Sequence, residues 1–182
     1  MLLMSTFAFA QIQKGQVQLG GVFNYNTQDL GSGSDRSSFI FSPQAGYFFS
    51  DNTSAGISLT INSNSFEGSG FSRDFNLFEI GVFARFHKSV ADNFYLFLQP
   101  SVGFGSGTDE DLNGDTDINT TRIQVSPGAV YFLSPKIALE MRIGGLFYES
   151  ATETTNNVEN DVSSFGISIN PANVNFGVNF YL

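Results

Sequence analysis

The sequence predicts an all-β fold, an eight-stranded antiparallel β-barrel of up-and-down topology whose strands cross a membrane. Three observations predict it. Apolar and polar residues alternate at period 2 in eight stretches. The connections between those stretches alternate short and long. The polar faces carry Gly, Ser, Gln and Asn with few charges. Charged residues make up 14% of the 182 positions, against about 25% in an average soluble domain.

Composition removes several function classes. A net charge of −9 argues against a nucleic-acid partner, which needs a basic face. The absence of Cys excludes disulfides, Cys-ligated zinc, iron–sulfur clusters and thiol catalysis. One His cannot build a His-rich metal site. No run approaches the roughly 20 apolar residues of a membrane helix, because polar residues interrupt every apolar stretch.

Residues 1–10 read MLLMSTFAFA before Gln11. Ala8-Phe9-Ala10 has the small-x-small form of a signal-peptidase cut, so we expect 1–10 to be a signal-peptide remnant and 11–182 the exported barrel domain. Gln11, not Cys, follows the cut, which disfavours a lipid anchor.

The elements follow in order. In 16–25, Val17, Leu19, Phe23 and Tyr25 share a face with Gly21. In 38–49 the face is Phe39, Phe41, Pro43, Ala45, Tyr47 and Phe49, and in 54–62 it is Ala55, Ile57, Leu59 and Ile61. Phe78, Ile80, Val82, Ala84 and Phe86 mark 76–87; Phe94, Leu96, Leu98, Pro100, Val102 and Phe104 mark 94–105. Ile123, Val125, Pro127, Ala129 and Tyr131 mark 121–132; Ile137, Leu139, Met141, Ile143, Gly145 and Phe147 mark 137–148. The last stretch is 164–182, with a register slip near Pro171. Asp51-Asn52, 87–93 and 133–136 read as short inner turns. Residues 27–37, 63–73, 106–119 and 149–162 read as long polar external loops, the loop plan of an outer-membrane barrel.

The apolar faces are assigned to lipid. Their ends are aromatic, forming two interfacial girdles: Phe23, Tyr25, Phe39, Phe78, Phe104, Phe147 and Phe165 outside, and Tyr47, Phe49, Phe86, Phe94, Tyr131 and Phe180 inside. The opposite faces fill the narrow lumen of an eight-stranded barrel. They carry Glu79, Arg85, Arg122, Glu140 and Arg142, which we expect to pair as a lumen charge network. Pro43, Pro100, Pro127 and Pro171 fall inside strands and call for bulges. Ser42-Pro43-Gln44-Ala45-Gly46-Tyr47-Phe48 and Ser126-Pro127-Gly128-Ala129-Val130-Tyr131-Phe132 share an SPxAxYF pattern.

With its AFA cut, its SPQAGYFFSDN and SPGAVYFLSPK segments and its ending NFGVNFYL, the chain resembles the small outer-membrane β-barrel family of the OmpX or OmpA type. The resemblance covers nearly all of 11–182. It implies residence in the outer membrane of a diderm bacterium after export through the periplasm, with lipopolysaccharide and other lipids as neighbours. It also implies recognition by the barrel-assembly machinery through Phe176, Val178, Phe180 and Leu182, although the family usually ends in Phe. A peptidoglycan-binding domain of the OmpA kind is not expected. Enzymes of related barrels use a His at the outer rim, and the lone His87 falls at the predicted inner end as an interfacial residue. We therefore expect no enzyme.

The sharpest remaining motif is Asp109-Glu110-Asp111-Leu112-Asn113-Gly114-Asp115-Thr116-Asp117. Asp109, Asp111, Asn113 and Asp115 match the first half of an EF-hand-type loop, Asp117 falls at position 9, and Thr120 replaces the bidentate Glu. No cofactor is the expectation: the motif reads first as an acidic, solvated loop tip, with weak calcium binding as the alternative. The expected function is a monomeric structural or surface-interaction protein with a plugged lumen, acidic external loops and an extracellular ligand. The alternative is a calcium-responsive adhesin acting through 109–117. A narrow pore, a lipid-modifying enzyme and a soluble lipocalin-like binder rank lower. The lipocalin plan also expects a Gly-x-Trp and paired Cys, and Trp and Cys are both absent.

Overall fold

The structure, a computed structural model, describes residues 12–68, 70–112, 114–169 and 174–182. The signal-peptide expectation for 1–10, together with Gln11, Asn113 and Pro171, lies outside them. The described residues form ten strand segments: β1 (Val17–Gly31), β2 (Ser34–Ser50), β3 (Thr53–Gly68), β4 (Phe71–Ala91), β5 (Phe94–Asp111), β6 (Gly114–Ser134), β7 (Ile137–Ile143), β8 (Gly145–Thr155), β9 (Val158–Ser168) and β10 (Val174–Tyr181). β7 and β8 are one barrel strand interrupted at Gly144; β9 and β10 together make the last. Eight antiparallel strands result, closed by pairing of β1 with β10. Paired amides of Val17 and Leu182 (2.9 and 3.0 Å) complete the seam at the inner end.

Shear follows from the register. From Phe23 the partners run through Phe41, Ile61, Phe78, Ser106 and Asn119 to Thr152. In the other direction they run through Phe176 to Met141. Thr152 and Met141 lie eleven residues apart on one barrel strand, ten once the slip at Gly144 is discounted. Eight strands with a shear of about ten tilt by about 40°, so each residue climbs roughly 2.5 Å of barrel height.

The apolar faces point outward as expected. Ile57, Ile80, Val82 and Leu98 each keep more than half of their surface uncovered by protein. In water that would be a costly apolar belt; in lipid it is the required surface.

Three expectations are corrected. Among the described residues the expected external loops are largely continuations of the strands, and the β1–β2 and β8–β9 connections are two-residue turns. Ser32 (φ 56°) and Gly33 (φ 74°), and Asn156 (φ 51°) and Asn157 (φ 64°), are left-handed at both turn positions, as a type I′ hairpin requires. Outside lipid both faces of a strand are polar, so the period-2 signal vanishes while the ladder continues.

The second concerns the strand expected at 137–148. Its phase flips at Gly144-Gly145, where the register with β6 slips by one residue. One extra residue moves every later side chain to the other face. Leu146 and Tyr148 therefore face lipid, while Phe147 leaves the predicted girdle.

The third concerns proline. Among the described in-strand prolines, only Pro127 lies opposite a bulge, the one at Gly144. Around Pro43 and Pro100 one neighbouring ladder skips a few pairs and resumes in the same register. There the lost N–H costs local hydrogen bonds but not the register.

Among the described residues, β9 pairs only with β8, and β1 beyond Phe23 pairs only with β2. The side-chain amide of Asn24 donates to the Val174 carbonyl (3.4 Å) across this side of the wall.

Candidate functional site

The lumen is layered. Its inner end holds a packed floor of Ile12, Phe48, Tyr95, Phe97, Val130, Phe132, Ala138 and Tyr181. The Phe132 and Tyr181 rings lie 4.7 Å apart. His87, expected at the membrane interface, instead turns inward and sits 5.3 Å from Phe48 and 5.8 Å from Phe97, ring to ring. Sequence alternation missed this floor, because the runs Tyr47-Phe48-Phe49 and Tyr131-Phe132-Leu133 are apolar on both faces. Gly128 makes room for it: a Cβ there would stand 2.2 Å from the Phe97 ring.

Above the floor lies the first charge cluster. Arg85 and Glu140 are fully buried and paired, with Nη1 donating to Oε2 at 2.7 Å. Arg85 also donates from Nε (2.8 Å) and Nη2 (2.6 Å) to Gln99 Oε1. Its guanidinium covers the Phe97 ring at 4.2 Å. Glu140 accepts further from Arg142 Nη2 (2.7 Å) and Asn179 Nδ2 (2.5 Å). Gln18 donates to Asn179 (3.0 Å), and Arg142 donates to Gln44 (3.1 Å). Two cations thus share one anion, the Asn179 amide donates to it as well, and Gln99 and Gln44 accept from the arginines, which is what a buried ion pair needs to be tolerated.

A second cluster sits nearer the outside. Arg122 pairs with Glu149, directly opposite on β8. Glu79 leans over Gly103, where a Cβ would stand 2.5 Å from its carboxyl carbon. Gly103 is the cross-strand partner of Arg122, so two anions face one cation. Sequence reasoning named Glu79 and Arg122 but left Glu149 in a loop. The bulge at Gly144-Gly145 is what brings it onto the lumen face. The five predicted charges therefore form two clusters, not one network.

Between the clusters lies a cavity of about 200 Å³, lined by Glu79, Arg122, Arg142, Gln124, Ser101 and Asn62 among others.

The described residues of the acidic motif at 109–117 form a hairpin. Asp111 is opposite Gly114, Asp109 opposite Thr116 and Thr108 opposite Asp117. Strand alternation puts Asp109 and Asp111 on one face and Asp115 and Asp117 on the other. Asp109 is engaged by Arg73, whose Nε donates to Oδ1 at 2.8 Å; that bond raises the guanidinium further above its usual value. The described members of the predicted ligand set are therefore divided between two faces, and no group of three His, Cys, Asp or Glu side chains placed to hold a metal occurs among the described residues.

Phe176, Val178, Phe180 and Leu182 all project outward from the closing strand, the alternation expected of the C-terminal segment.

Charge is sorted by height. The lumen holds Arg85, Arg122 and Arg142 against Glu79, Glu140 and Glu149. The inner end carries all three Lys (Lys14, Lys88, Lys136) with Asp51 and Asp92. The outer hairpins carry Arg36 and Arg73 against the remaining twelve acids.

Comparison with known proteins gives a consistent fold. A family model described as outer membrane protein beta-barrel domain matches residues 1–180. Neisserial surface protein A is similar in structure, with a TM-score of 0.54 and 20% identity over 91% of this chain and 95% of that one. The translocator domain of the autotransporter NalP from Neisseria meningitidis aligns at a TM-score of 0.44 and 14% identity over 84% and 56%. No curated protein matches the sequence.

Proposed function

Because this chain belongs to the family of outer-membrane protein β-barrel domains, and because buried charges span its lumen, we propose that it serves the outer membrane as a structural and surface-contact protein rather than as an open pore. The observation that carries this reading is the fully buried Arg85–Glu140 pair on the aromatic floor. An eight-stranded barrel has space for little more than its own side chains, and here those side chains bond to one another across it.

The barrel reaches the outer membrane by export through the periplasm, where assembly machinery reads its closing strand. It stands there as a monomer among lipopolysaccharide and other lipids. Its chemistry is that of contact, not turnover: His87 is buried at the inner end, far from the outer hairpins where a substrate would arrive. The excess of acids on those hairpins favours an extracellular partner that is basic or carries cations, with the charge acting mainly on encounter and selectivity.

Two measurements test the reading. Unboiled protein from outer-membrane fractions should migrate differently from boiled protein, because a closed barrel resists detergent until heated. A single band in the soluble fraction would turn the apolar faces inward and end the membrane reading. Reconstituted into a planar bilayer, the same protein should show no sustained conductance. Stable open-channel steps would displace the closed-lumen role and leave the fold untouched.

A further inference from the structure

We propose that the cavity between the two charge clusters is a binding site for a short zwitterion, an ω-amino acid whose carboxylate meets Arg142 and whose ammonium meets Glu79. Charge and spacing carry the inference. The inner cluster has two cations to one anion, Arg85 and Arg142 around Glu140. The outer cluster has two anions to one cation, Glu79 and Glu149 around Arg122. Arg142 and Glu79 are the surplus charges of each, and both line the same cavity.

Neither surplus group is fully satisfied by its neighbours. Nε of Arg142 and Nε of Arg122 are buried donors with no hydrogen-bond partner among the described residues. No hydrogen bond ties the Glu79 carboxylate to another described residue. Buried donors of this kind are rarely left unfilled.

Glu79 lies six residues outward of Arg85 on β4, and Arg142 lies two residues outward of Glu140, the ion partner of Arg85. At roughly 2.5 Å of height per residue, their backbone positions differ by about 10 Å along the barrel. A chain of three methylenes between charged ends spans roughly 5 Å, short enough to lie between the two side chains with a charge-assisted contact of about 2.8 Å at each end. Size agrees. A volume of about 200 Å³ is that of six or seven waters at about 30 Å³ each, and γ-aminobutyrate has seven non-hydrogen atoms. The aromatic floor and the inner cluster lie on the periplasmic side, so such a ligand would arrive from outside.

The test is calorimetric titration of the folded barrel in detergent with γ-aminobutyrate, with butyrate and butylamine as single-charge probes. The expected result is saturable binding of the zwitterion and at least tenfold weaker binding of either single-charge probe. Glu79→Gln should weaken zwitterion binding at least tenfold. Gly103→Ala should do the same without altering any charge, because its methyl displaces the Glu79 carboxylate. The heat-dependent gel shift of each variant reports folding separately, so lost binding is not confused with a lost barrel. Absence of saturable binding by the parent would overturn the proposal. So would equal affinity for butyrate or butylamine, or affinity unchanged in both folded variants.

Discussion

Glu140→Gln is expected to lower the unfolding free energy of the folded barrel by about 3–5 kcal/mol, the usual cost of removing one partner from a buried ion pair. The amide keeps the shape and removes the only anion between Arg85 and Arg142. Arg85 is fully buried and cannot turn to water; it would retain Gln99 and the Phe97 face, neither of which carries a full charge. Arg142→Gln is the control. It leaves the Arg85–Glu140 pair intact and should cost about 1–2 kcal/mol, the scale of lost hydrogen bonds. Urea titration followed by the gel shift measures both. Equal losses would mean that water reaches the cluster and screens it.

Val82→Arg is expected to destabilise the barrel in lipid vesicles by about 2–4 kcal/mol, the cost of a lipid-facing cation at the bilayer midplane. Val82 lies four residues from Phe78 and four from Phe86 on β4, midway between the outer and inner girdles. Its side chain is 57% exposed and points away from the lumen. In a protein surrounded by water an exposed Val→Arg change would be nearly neutral. Ser72→Arg, on the same strand beyond the outer girdle, should change stability by less than about 0.5 kcal/mol. If Val82→Arg costs no more than Ser72→Arg, these strands do not face hydrocarbon.

The fold was legible where lipid imposes a rule. A membrane strand must show lipid one face, so Ile57, Val82, Leu98 and Met141 declare their strands by alternation alone. The rule lapses in two places. Beyond the girdles water wets both faces, and the strand continuations through residues such as Ser65 and Thr152 carry no period. At the inner end both faces are apolar, so Phe48, Phe97 and Phe132 are indistinguishable from lipid-facing neighbours.

The lumen charges were readable one strand at a time, since Arg85, Glu140 and Arg142 keep the phase of their strands. Glu149 was not. Its face depends on a single slip at Gly144-Gly145, and nothing but two adjacent glycines marks it in the sequence. Pairing partners are also separated too widely for local reading: Arg85 and Glu140 lie 55 positions apart and meet only because the wall curves on itself.

The half-paired wall between β1 and β9 gives the barrel two tiers of cooperativity. Below Phe23 every strand has two neighbours, and no strand can fray without breaking ladders on both sides; that collar opens only with global unfolding. Above it, among the described residues, the β8–β9 hairpin ends in a strand with a single ladder. That hairpin can loosen one pair at a time from its tip while the collar stays shut. Its outer end can therefore open and reclose far faster than the barrel unfolds, without drawing on the stability that keeps the protein in the membrane.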